Sequence, residues 1–315
     1  PVNLEACLPA ELRGPTTAIT RIIAGLSGAG VYRVEAAGQA FVLKIASADE
    51  PIDGWRHRTQ IQQHAADAGV APRVVHVDEA RRAIVSAFVV DRSFPAFYGN
   101  PQTHEAALVQ LGQTLRRVHD LPLPDGTPGR DPRELLTRIW SGPLASSALP
   151  GFVGDAVERV RGEPVPACDR AVVLSHNDVN PTNLTYDGER VLLLDWDAAG
   201  PNDAFYDLAA IAVFLRMDDA TCLRLLAAHD GAAPAAALPA RFVYNRRLIA
   251  AMCGVVFLHL ARAAGHPGAT GDETLAGTPD LGELYLRMRS GELSVATGAG
   301  RWAFGLALVK ASTAL

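Results

Sequence analysis

Between Ser175 and Asp197 the chain runs Ser-His-Asn-Asp-Val-Asn-Pro-Thr-Asn, then a short hairpin, an apolar strand and Asp-Trp-Asp. Asp187-Gly188, set between Leu184–Tyr186 and Arg190–Leu194, is a strong hairpin signal. The two arms run antiparallel, so Asp195 returns beside Asn183. Three polar groups, Asp178, Asn183 and Asp195, thereby fall at the ends of short, rigid elements. Such a set has a chemistry: one carboxylate can accept a proton from an attacking hydroxyl, while an Asn carbonyl and a second carboxylate hold a hard divalent cation over a phosphate chain. Asp and Asn also serve as loop caps and turn formers. Against that plainer role stands an Asp at the exit of a buried strand, followed at once by Trp196-Asp197.

Composition narrows the setting. A chain of 315 residues can bury a full core and form two lobes. Its 29 basic and 34 acidic residues give a formal net charge of -5, without the basic excess of a nucleic-acid binder. Cys7, Cys168, Cys222 and Cys253 are scattered, which predicts reduced thiols in a cytoplasmic protein, not a disulfide framework or a zinc site. Neither a secretory leader nor a membrane partner is expected. The most apolar window, Leu248–Ala264, contains His259 and Arg262 and falls short of the ~20 uninterrupted apolar residues of a membrane span. It predicts a core helix.

Along the chain, residues 1–18 read as an irregular or briefly helical lead-in. A period of two then predicts strands at Ile19–Ile23, Val31–Glu35, Phe41–Ile45, Val74–Asp78 and Arg82–Val90. A single helix, Asp53–Ala68, is inserted after the third strand, and Gly69 is placed to end it. This is a small antiparallel α+β lobe over residues 1–91. Residues 92–315 are predicted to be mainly helical, with candidates at Thr103–Leu121, Arg133–Trp140, Phe152–Arg161, Ala204–Met217, Ala220–His229, Arg241–Ala264 and Leu281–Arg289. Gly231–Pro239 and the Gly/Pro/Thr-rich His266–Pro279 read as connecting segments.

Two features of the first lobe bear on phosphate chemistry. The turn Gly25-Leu26-Ser27-Gly28-Ala29-Gly30 lies between two strands and does not open a helix. It therefore fits a flap over phosphates better than a Rossmann or Walker A loop. Glycines in hairpins are also steric conveniences. Lys44 is the one charge in an apolar strand, where a cation needs an anionic partner; facing water from an edge strand is its alternative.

Taken together, the blocks Phe41–Ile45, Leu111–His119, Ser175–Asn183, Leu192–Asp197 and Asn202–Ala209 resemble the aminoglycoside phosphotransferase and choline kinase superfamily. They span most of residues 20–215, and the His-x-Asp-x-x-x-x-Asn spacing at His176 is that of a kinase catalytic loop. The resemblance implies a bilobal protein-kinase-like fold and an ATP- and Mg2+-dependent transfer of phosphate to a small-molecule hydroxyl acceptor. It implies Asp178 as catalytic base, Asn183 and Asp195 as magnesium ligands, and Lys44 on the nucleotide's phosphates. Gly25, Ser27, Gly28 and Gly30 would cover those phosphates, and Ala87-Phe88-Val89 would offer backbone groups to adenine. His176 and Asp207 would brace the catalytic loop, and Asp197 would either assist the metal or lie at the surface.

One departure from the family pattern bears on the nucleotide grip. Relatives carry a Glu on the helix after the lysine strand, whereas Trp55–Ala66 has no acid before Asp67. Asp67, a more distant carboxylate, or the phosphates alone must hold Lys44, or the protein is a nucleotide-binding regulator that has lost catalysis. No activation segment ending in Ala-Pro-Glu is present, which argues against a protein kinase. Asn177, where aminoglycoside kinases often carry Gly, tilts the acceptor toward choline or a similar amino alcohol. Trp140, Tyr244, Phe257, Tyr285 and Trp302 read as core packing before an aromatic cage.

Overall fold

Period-two alternation in the first ninety residues builds a five-stranded antiparallel sheet of order β1-β2-β3-β5-β4. Its strands are β1 Ala18–Arg21, β2 Gly30–Ala36, β3 Gln39–Ile45, β4 Val74–Asp78 and β5 Ala83–Ala87. The computed structural model describes residues 3–22, 30–47 and 49–315. The expected flap residues Gly25, Ser27 and Gly28 lie outside the described residues. Helix α1, Ile52–Asp67, follows β3 as predicted, and Gly69 (φ 68°) supplies the left-handed residue just after it.

The lead-in is more ordered than its sequence suggests. Two 3-10 turns, Glu5–Cys7 and Ala10–Leu12, carry Cys7, Leu8 and Leu12 into a core with Val34, Phe41, Leu43, Ala83 and Val85. Each fully buried Leu or Phe there contributes roughly 2 kcal/mol of transfer free energy. Strand β5 stops at Ala87 and not at the expected Val90. The Ala87 amide donates to the Arg73 carbonyl and the Phe88 amide to the Ala40 carbonyl, after which the ladder ends.

The chain divides into two compact units. Residues 1–128, 173–201 and 227–232 form the first, and 129–172, 202–226 and 233–315 the second. The lobe boundary expected near residue 91 falls inside the first unit. Beyond the sheet that unit holds α2 Phe94–Gly99, α3 His104–His119 and the short strands β6 Val173–Ser175, β7 Leu184–Tyr186, β8 Val191–Leu193 and β9 Gly200–Asn202, the last residue of β9 falling in the second. No helix was expected at α2. Ser93 caps it by accepting from the Ala96 amide, Pro95 sits in its first turn where a missing N–H costs nothing, and Phe97 stacks on Tyr186 at 4.1 Å between centroids.

The second unit is helical: α4 Pro132–Ser141, α5 Gly151–Gly162, α6 Tyr206–Phe214, most of α7 Asp219–Asp230, α8 Ala240–Ala263, α9 Leu281–Arg289 and α10 Gly298–Ala314. Helix α8 is long and apolar enough to cross a membrane, with a mean hydropathy of 1.2 over its best window, but 61% of that window is buried within the protein. Its Leu248, Ala251, Val255 and Leu258 pack with Trp302, Leu306 and Val309 of α10, and with Leu136 of α4. Helix α10 has no counterpart in the sequence expectations, because its glycines mask any apolar stripe. Those glycines are what admit α8. A Cβ on Gly254 would stand 2.9 Å from the Gly305 carbonyl oxygen, and one on Gly305 would stand 2.9 Å from that of Gly254. Tyr244 and Trp302 belong to this core and Tyr285 and Phe257 pack against its neighbour, so the aromatic residues serve packing.

Candidate active site

The site is built within the first unit on the β7–β8 hairpin. Leu184 pairs with Leu193 and Tyr186 with Val191, while Asp187 closes the turn by accepting from the amides of Glu189 and Arg190. The Leu194 amide donates to the Asn183 carbonyl at 2.8 Å, so Leu194 stands across from Asn183 and Asp195 follows one residue on, beside it as the spacing predicts.

Asp178 is held from both sides. The Asn180 side-chain amide donates to Oδ1 at 3.0 Å, and that of Asn183 to Oδ2 at 2.8 Å and to the Asp178 carbonyl at 2.9 Å. One edge of Asp178 is open to solvent while protein atoms crowd the rest. That desolvation pushes its carboxyl pKa up, aided by the charge of Asp195 and opposed by His176 and the two amides. A fixed carboxylate of raised basicity is suited to receive a proton.

The backbone around these groups is constrained. Asn177 (φ 65°) and Asp195 (φ 62°) both sit in the left-handed region, where Asn and Asp are tolerated far better than other non-glycine residues. Asn177 ties its loop down by donating to the Ala198 carbonyl at 3.0 Å. The fully buried His176 has Nε2 3.0 Å from the Leu194 carbonyl oxygen and its ring edge-on to Trp196. His176 thus steadies the residue before Asp195. Asp207 is fully buried in the first turn of α6, in the second unit.

Lys44, the next-to-last residue of β3, points to two carboxylates: its Nζ lies 2.7 Å from Asp195 Oδ1 and 2.7 Å from Asp197 Oδ2. The acid missing from α1 is therefore answered by a more distant carboxylate. Asp67 is exposed at the end of α1. Where relatives are expected to carry an acid, α1 presents the guanidinium of Arg58, 2.5 Å from Asp197 Oδ1 and bidentate to Glu50 at 2.7 and 2.5 Å. Burial opposes the charge on Asp197, yet Lys44 and Arg58 outweigh it and hold its pKa below the usual carboxylate value. Sequence reasoning overlooked Arg58, although a signal was there. Trp55, Arg58, Ile61 and Ala65 recur at helical spacing and are all buried, so a cation stands in an apolar stripe.

Asn183 and Asp195 suit magnesium chemically. After Asn183 donates its amide protons to Asp178, its carbonyl oxygen remains as an acceptor, and one oxygen of Asp195 remains beyond Lys44. Two hard oxygen donors are what such an ion takes from a protein when phosphates and water complete its shell. Among the described residues no cluster of three or more His, Cys, Asp or Glu residues forms an all-protein metal cage. Gly30, the one flap residue described, opens β2 opposite Ile45, one position from Lys44. Ala87 and Val89 lie at and just beyond the end of β5.

A model of the family described as phosphotransferase enzyme family matches residues 18–243. No curated protein matches. Among solved structures, the chain is similar to a choline/ethanolamine kinase family protein from Mesorhizobium loti, with a TM-score of 0.62, 22% identity, and coverage of 97% of this chain and 96% of that one. It is also similar to the choline kinase LicA from Streptococcus pneumoniae (TM-score 0.56, 14% identity, 89% and 93% coverage). A spectinomycin phosphotransferase solved with ADP and spectinomycin matches with a TM-score of 0.55 at 14% identity over 78% and 82% of the two chains. At these identities the likeness establishes a shared protein-kinase-like fold.

Proposed function

The chain belongs to the phosphotransferase enzyme family, and from that premise we propose that it is a cytoplasmic kinase moving the γ-phosphoryl group of ATP to a hydroxyl of a small molecule. The observation that carries the proposal is the Asp178 carboxylate clamped by Asn180 and Asn183, with Asp195 and Lys44 in the same polar cluster. In this reading Asp178 orients the acceptor hydroxyl and takes its proton late in the reaction, because a metaphosphate-like transition state needs little help from a strong base. Lys44 turns its ammonium to the nucleotide's phosphates. Asn183 and Asp195 would hold Mg2+, which when bound neutralises phosphate charge. Ala87-Phe88-Val89 meets adenine; with the Ala87 and Phe88 amides engaged, Val89 is its amide donor. Gly25, Ser27, Gly28 and Gly30 cover the phosphates.

The acceptor is a choline-like amino alcohol or an aminoglycoside-like antibiotic. Asn177 does not discriminate between them: its left-handed backbone favours Asn or Gly for conformational reasons. ADP release measured over a panel of choline, ethanolamine, homoserine, thiamine, aminoglycosides and macrolides tests the proposal. Acceptor-dependent release that disappears in Asp178→Asn supports it. Magnesium-dependent ATP binding without transfer to any acceptor would instead favour a nucleotide-binding regulator.

A further inference from the structure

We infer that Asp197, held by the guanidinium of Arg58, is the acid that positions Lys44 for the nucleotide, so that α1 contributes a cation and the segment after β8 contributes the carboxylate. The inference rests on the kinase reading and concerns how its phosphate-gripping lysine is held. Both oxygens of Asp197 are engaged, Oδ2 by Lys44 at 2.7 Å and Oδ1 by Arg58 at 2.5 Å. Arg58 is itself fixed: its side chain is 9% exposed, its far side is bound by Glu50, and the Glu50 carbonyl accepts from Arg82. It stands on α1 between Trp55 and Ile61, which are 2% and 0% exposed, so core packing sets its position. Arginine suits the place, since its planar fork stays charged when buried and binds two carboxylates in fixed geometry.

The arrangement separates two duties. Asp195 shares Lys44 with Asp197, but Asp195 is also a proposed cation ligand. If Asp195 turns to the cation, Asp197 remains as the fixed partner of the ammonium. A buried cation left without its carboxylate would be costly, and this argues against Asp197 serving as a metal ligand in place of its lysine. The chain Glu50–Arg58–Asp197–Lys44 thus links β3, α1 and the turn after β8 within one unit.

Calorimetric ADP binding in EDTA, together with KM values for ATP and acceptor, tests the inference. Asp197→Asn and Arg58→Met are each expected to weaken metal-free ADP binding and raise KM for ATP by about 10-fold, as loss of an outer supporting partner does elsewhere. KM for the acceptor should stay within about twofold. Arg58→Lys should recover part of the loss, and the double variant should be no worse than Asp197→Asn alone, because Arg58 acts through Asp197. Unchanged ADP binding in both single variants overturns the inference, as does a multiplicative double variant. So does an Asp197→Asn protein that changes only the Mg2+ concentration required. Thermal melting reports folding, and if Arg58→Met does not fold, the near-isosteric Asp197→Asn and the charge-retaining Arg58→Lys carry the test. A wild-type protein that binds no nucleotide overturns the kinase reading as well, whereas active wild type with insensitive variants overturns this inference alone.

Discussion

The segment from Val173 to Pro201 and the α8–α10 pair are assembled on opposite principles. In the first, the proposed site rests on polar groups that find one another over a few residues. Asn180 and Asn183 reach back to Asp178, and a tight hairpin returns Asp195 to Asn183. In the second, stability rests on two long helices meeting backbone to backbone at Gly254 and Gly305, far apart in the chain. Short-range polar geometry leaves a readable spacing in the sequence. Close helix packing leaves only glycines, which taken alone look like helix defects.

That contrast can be broken at its strongest point by Asp178→Asn. Turnover should fall by a factor on the order of 100 or more while the melting temperature stays near that of wild type; a variant with near-normal turnover would remove Asp178 from the mechanism. Gly305→Val should do the reverse, costing about 3 kcal/mol through overpacking against Gly254 and Leu258. Chemical denaturation measures it, and unchanged stability would mean that α8 and α10 need no close approach.

Asp203 tests whether the second unit also depends on polar geometry. It accepts from Arg241 Nε at 2.6 Å, Asn245 Nδ2 at 2.9 Å and the Phe205 amide at 2.8 Å. Asp203→Ala leaves the buried Asn245 and part-buried Arg241 without that acceptor, for an expected loss of about 2 kcal/mol. A denaturation midpoint that does not move would show this network to be dispensable.

The smallest effect belongs to Asp280, which caps α9 in a reciprocal capping box with Glu283. Asp280→Ala should cost about 1 kcal/mol at neutral pH. The Glu283 amide hydrogen bond lowers the Asp280 pKa in the folded state. A depressed folded pKa stabilises above the unfolded value of 3.8, and the contribution is lost as pH falls through the lower folded value. The difference between wild type and variant should therefore shrink as pH falls from 3.8 toward the lower folded value. A difference that holds constant to pH 2 would show that the cap works without its charge.

Much of the fold was legible because it depends on local rules. Alternation marked the five strands, Gly69 marked the end of α1, and Asp187-Gly188 marked the hairpin that returns Asp195 beside Asn183. What stayed hidden depends on distant partners. β6 and β9 are three residues each and exist only because they pair with one another. Helix α2 starts at a Ser-Phe-Pro that resembles a breaker until Phe97 stacks on Tyr186.

The sequence by itself determined the chemistry available: an Asp, an Asn and a second Asp at fixed spacing, and a lysine in an apolar strand. For Asp178, Asn183 and Asp195 the order along the chain is enough, since a tight turn brings them together by local geometry, whereas Lys44 meets Asp195 across 151 positions. Only the tertiary structure decided which carboxylates meet Lys44, namely Asp195 and Asp197. Asp197 and Arg58 are separated by 139 positions, and no periodicity links them. Their pairing follows from burial, because a cation on the packed face of α1 must find a carboxylate, and the turn after β8 brings one within reach.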